Sequence, residues 1–178
     1  LQARPALTVI RELAADKKAV AASRLLALDA IRAMADGEAK PMLMQMVKNY
    51  DYEAPNSALR EHAAGALGAV GGAETVAPLR KLITDKVLNL PMVGPSYESD
   101  STRIACIEAL QQLKATDAIK TLLSEKFLDD SSEAMRRTLA GSLTALTGIA
   151  YDYRRAVTFR SYFIESLEPD EYPPLLAE

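Results

Sequence analysis

The chain has 178 residues, 49% of them hydrophobic, with a net charge of −3 and a pI near 5.3. That is ample apolar material for one core, and the acidic balance speaks against a dedicated nucleic-acid binder. No Trp, three Phe and a single cysteine, Cys106, favour helices rich in Ala and Leu and exclude an internal disulfide or a cysteine metal cluster.

No apolar run reaches the roughly 18 residues a membrane span needs. The start at Leu1 fits an excised piece or a mature form that has lost a targeting segment, so the compartment stays open between cytoplasmic and exported. Residues 4–15 carry Pro5, Leu7, Val9, Ile10 and Leu13 and predict one amphipathic helix, read as the second helix of a repeat within a longer protein. Residues 17–35 predict the next helix, ending near Asp36-Gly37, and Pro41 to Lys48 its partner. The segment Tyr50–Asn56 predicts a loop.

The stretch Ser57–Lys86 reads as helix, glycine turn, helix. Ala63, Ala66, Leu67 and Val70 form one apolar stripe and Val76, Leu79, Leu82 and Ile83 a second. Ser57 is expected to cap the first helix, Gly71 or Gly72 to end it in a left-handed conformation, and Pro78 to sit in the first turn of the second. Residues 87–100, VLNLPMVGPSYESD, break the pattern and predict a loop folded over the end of a helix. A docking role for its Leu88, Leu90, Met92, Val93 and Tyr97 is the alternative. Two further helical pairs are expected over about 101–128 and 132–167, with second helices at 118–126 and about 153–167, and then an extended acidic tail with Pro169, Pro173 and Pro174.

Internal repetition organises these pieces. Arg24, Arg60, Arg103 and Arg136 are each followed six residues later by a small residue (Ala30, Ala66, Ala109, Ser142) and ten later by an apolar one (Met34, Val70, Leu113, Leu146). The anchors stand 36, 43 and 33 residues apart, and the wide gap holds the 87–100 insertion. Each arginine lies beside its apolar stripe, so its stem is expected to run along the core and its guanidinium to reach carbonyls or carboxylates of the adjacent repeat. The anchor+6 residues are expected to let neighbouring helices approach closely.

The run Leu59-Arg60-x-x-Ala63-Ala64-x-Ala66-Leu67-Gly68-x-Val70-Gly71, followed by Val76-x-Pro78-Leu79, resembles a HEAT-like repeat of the short phycobilisome-lyase type. Leu146-Thr147-Gly148-x-x-Tyr151-Asp152-Tyr153 resembles the closing segment of many bacterial HEAT-repeat proteins. The resemblance covers about residues 20–165. It implies an all-α right-handed superhelix, an armadillo-like solenoid of about four helical pairs (17–50, 57–86, 101–128 and 132–167) behind an N-terminal helix. It also implies a scaffold for protein binding whose second helices line a concave face.

No residue set carries catalytic chemistry. The Gly65–Gly72 cluster closes a helix with no strand before it, unlike a phosphate-binding loop. His62 is the sole histidine and has no partners for a zinc site. Ser142 lacks the flanking pattern of a hydrolase nucleophile. Cys106 sits among apolar counterparts and reads as core, and Asp129-Asp130 before Ser132 read as loop and cap. No cofactor or metal is expected.

The second helices are nonetheless basic, at +6 over residues 41–48, 76–86, 118–126 and 153–165 in a chain of −3. Gln45, Lys48, Arg80, Lys81, Lys120 and Ser124 are the expected partner-binding residues, facing an acidic segment of another protein. Two other functions compete. One is an accessory subunit of a phycobilin-lyase-like enzyme, which would bind a bilin. The other is nucleic-acid binding along the basic helices, which would be strongly salt-dependent.

Overall fold

A computed structural model describes residues 3–49, 56–90, 94–122, 132–148 and 150. Among these residues the α-helices are α1 (Ala3–Ala15), α2 (Ala21–Ala33), α3 (Lys40–Val47), α4 (Asn56–Val70), α5 (Ala73–Thr84), α6 (Asp100–Gln112), α7 (Ile119–Leu122) and α8 (Glu133–Thr147). Short 3-10 turns, Gly37–Ala39 and Thr116–Ala118, lead into α3 and α7. The helices pack in sequence, in a HEAT-like arrangement. The first helices α2, α4, α6 and α8 form one row in direct contact, and α1, α3 and α5 each lie against the first helix that follows them.

One apolar cluster runs through the stack. Leu28 and Ile31 of α2, Leu43 of α3, Leu67 of α4, Leu79, Leu82 and Ile83 of α5, Ile107 and Leu110 of α6 and Leu122 of α7 are all fully buried. Each such side chain stabilises by about 1.5–3 kcal/mol relative to leaving it exposed, so tertiary packing rather than propensity holds these short helices.

Local chemistry sets the helix ends. Asp36 Oδ1 accepts from Glu38 N at 3.2 Å at the start of the first 3-10 turn. Ser99 Oγ accepts from Thr102 N, and Ser132 Oγ from Met135 N, each at 3.3 Å, capping α6 and α8. Past α2 and α6, Ala35 and Lys114 take left-handed φ values of 47° and 52° without glycine, whereas Gly148, at 72°, ends α8.

Several expectations need correction. Residues 17–20 are not helical: Asp16 Oδ1 accepts from Lys18 N at 2.8 Å, which closes a turn before α2. Ser57 does not cap α4, which begins at Asn56; its hydroxyl turns instead to Glu98 and Ser99. Neither Gly71 nor Gly72 is left-handed, and Gly72 is extended at φ 171°. Gly71 is required by proximity, since a Cβ there would overlap the Leu67 carbonyl and lie 2.7 Å from Leu113 Cδ2. Because α5 starts at Ala73, Pro78 is inside the helix rather than in its first turn, where it leaves one carbonyl without its helical donor.

The insertion is not wholly loop. Lys86–Leu90 (β1) pairs antiparallel with Gly94–Tyr97 (β2), Leu90 opposite Gly94 and Asn89 opposite Pro95, with an irregularity between Lys86 and Leu88. A two-stranded ribbon has only edge strands, so Pro95 can be held with its missing N–H turned outward. Gly94, at φ 82°, supplies the conformation that starts the return strand. The second helix of the third repeat, expected over 118–126, is described only to Leu122. The helix expected over 153–167 and the tail of residues 168–178 lie outside the described residues.

Candidate functional site

Three of the four anchor arginines, Arg24, Arg60 and Arg103, tie one repeat to the next. Arg24 Nε donates to Ala14 O at 3.0 Å, and Arg103 Nε donates to Ile83 O at 3.1 Å. Both acceptors lie in the last turn of the preceding second helix, where carbonyls lack helical donors and a cation meets the negative end of the dipole. Arg60 reaches Asn49 O, just beyond α3, through Nη1 at 2.8 Å. Arg24, Arg60 and Arg103 are buried, and Arg136 at the start of α8 is half-buried.

Arg60 has a second task. Its Nε donates to Glu98 Oε2 at 2.6 Å, and the two side chains are 1% and 0% exposed. Glu98 Oε1 accepts from Ser99 N at 3.0 Å and from the Ser57 hydroxyl at 3.4 Å, so both carboxylate oxygens are engaged. One residue earlier, Lys86 Nζ and Arg103 Cζ lie over the Tyr97 ring, 5.6 and 5.3 Å from its centroid. The end of β2 is therefore clamped onto the arginines of two successive repeats. Sequence reasoning missed Glu98, because the apolar run of residues 87–93 before it marked the segment as a covering loop. An acid just before the Ser99 cap was the only signal.

Of the alternative loop residues, Leu88 and Leu90 lie in β1, Tyr97 is half-buried in its clamp, and Met92 and Val93 fall outside the described residues.

The second-helix residues divide by position. Gln45, Lys81 and Lys120 each stand two residues after a buried apolar one, Leu43, Leu79 and Ala118, and two before another, Val47, Ile83 and Leu122. They thus occupy one equivalent outward position on α3, α5 and α7, and all three are exposed. Lys48 is exposed at the end of α3, and Ser124 is outside the described residues. Arg80 is not in that row. It sits where the other repeats carry Met44 and Ile119, on the flank of the helix, half-buried, with Nε out of contact with solvent and without a hydrogen-bond partner.

Between α3 and α5, Lys40 Nζ meets Glu74 Oε1 at 2.8 Å. That hydrogen bond, with help from the backbone, holds the Glu74 carboxyl below its usual range. On the first-helix side, His62 Nδ1 and Asp29 Oδ1 are 2.7 Å apart, joining α4 to α2. Cys106 is buried in α6, and burial first, then the Glu98 charge, pushes its thiol far up, so it is a poor nucleophile. Among the described residues no three metal-ligating side chains come together, and no helix is long and apolar enough to cross a membrane.

Comparison with curated proteins finds no match. Residues 59–85, from the buried Leu59 of α4 to the residue after α5, match the family model described as PBS lyase HEAT-like repeat, and the other described helices stack on that pair in the same order.

Proposed function

We propose that this HEAT-like repeat protein is a non-enzymatic scaffold that binds an acidic segment of a protein partner along its second helices. One observation carries the reading. Gln45, Lys81 and Lys120 stand at one equivalent, exposed position on three successive second helices. Exposed lysines on successive second helices would draw in the carboxylates of such a segment. The net charge of −3 fits a local basic row better than a general affinity for polyanions.

The test is capture from the source cell by the wild type and by the charge reversal Arg80→Glu, Lys81→Glu, Lys120→Glu, with helicity checked by circular dichroism. A protein held by the wild type is expected to bind the folded variant at least about tenfold more weakly. Equal capture by both sinks the reading, and capture abolished by nuclease or accompanied by bilin absorbance replaces it with one of its competitors.

A further inference from the structure

The chain carries an acidic segment of its own. Residues 165–178, most of them in the tail that lies outside the described residues, hold Glu165, Glu168, Asp170, Glu171 and Glu178 and no base. Pro169, Pro173 and Pro174 are incompatible with a continuous helix there, and each disfavours helix for the residue before it. In an extended, proline-type chain three residues make one turn of about 9 Å. Glu165, Glu168 and Glu171 stand at that spacing, so such a chain would present their carboxylates on one side.

The second-helix row has the opposite charge and a similar spacing. Lys81 of α5 and Lys120 of α7 are exposed, and so is Lys48 at the end of α3. The first helices α4, α6 and α8 pack directly on one another, and packed helices stand about 8–10 Å apart. One repeat therefore advances the row by about one turn of the extended chain. The approach is short as well. α7 packs on α8, so Lys120 is the lysine of the row nearest to where the chain leaves α8 at Gly148. The roughly 20 residues from Gly148 to Glu168 are ample to reach it.

We propose that the acidic segment 165–178 is a tethered occupant of the lysine row, running from α7 toward α5 with Glu168 and Glu171 set against Lys120 and Lys81. The inference rests on the scaffold reading, in that the row takes acidic segments, and adds its regulation: a partner has to displace the chain's own segment. Tethering gives that segment an effective concentration of about a millimolar, so a contact too weak to join two molecules suffices within one. Its ion pairs form at the surface and are screened by salt, which keeps the occupant exchangeable.

The test begins with carbodiimide cross-linking of the 178-residue chain at low ionic strength, read by mass spectrometry. The reagent joins only a carboxylate and an amine already in contact. Links from Glu168 or Glu171 to Lys81 or Lys120, in a yield independent of protein concentration, are the expected result. A labelled peptide of residues 165–178 is then titrated into the chain carrying Glu168→Gln and Glu171→Gln. It is expected to bind roughly tenfold more tightly than to the wild type, because the competing segment is disabled. Adding Lys81→Glu and Lys120→Glu is expected to abolish that binding. Tail acids linked only to other lysines or to none, a yield that rises with concentration, or equal peptide binding by the two chains overturns the proposal. None of these outcomes touches the scaffold reading, which stands or falls on whether charge reversal of the row releases the captured partner.

Discussion

Arg60 serves two masters, the open carbonyl of Asn49 and the buried carboxylate of Glu98. Taking two charges out of water is costly, and the pair is tolerated because Glu98 Oε1 also accepts from Ser99 N and the Ser57 hydroxyl, while Arg60 Nη1 reaches Asn49 O. Removing one partner leaves the other charge stranded. Arg60→Met is therefore expected to lose about 3–5 kcal/mol of stability by urea denaturation, and Arg60→Met with Glu98→Gln to lose less. Glu74 makes a milder, pH-dependent case. Its folded pKa is lowered from 4.5 by Lys40, so its contribution is present above that value and is lost as pH falls through the folded pKa. The stability gap between wild type and Glu74→Gln is expected to be flat near neutrality and to shrink in acid below pH 4.5, read by thermal melts across pH.

At the scale of elements, two helical glycines of the same composition do opposite things. Gly68 sits where α4 meets α6, and a Cβ would lie 2.6 Å from Gln112 Oε1 and 2.7 Å from the Ala109 backbone, which cannot give. Gly141 lies on the exposed face of α8, where a Cβ would meet nothing within 4 Å. Gly68→Ala is expected to destabilise by about 1–3 kcal/mol through overpacking, and Gly141→Ala to stabilise by about 0.5–1 kcal/mol through the lost entropy of the unfolded chain. Matched denaturation curves check both. The β1–β2 hairpin acts at this scale as well. It lengthens one repeat spacing without opening the stack, because Tyr97 and Glu98 return the chain to Arg103 and Arg60 before α6 begins.

For the molecule as a whole, periodicity alone fixed a great deal. Apolar residues at helical spacing mark the helical pairs, and the arginine recurring before each small residue marks where one pair meets the next; both follow from local rules that any segment must obey. The stacking order followed, since such stripes can be buried only against neighbours. Long-range geometry decided the rest. Nothing local makes 86–90 and 94–97 strands rather than loop, for a hairpin depends on pairing across the turn. Glu98 became the counter-ion of Arg60 only when the chain closed over 38 residues. The six second-helix residues looked alike as basic or polar positions. Tertiary packing put Lys81 and Lys120 in solvent and Arg80 on a half-buried flank with an unanswered Nε, because burial depends on what the neighbouring repeat places opposite each side chain.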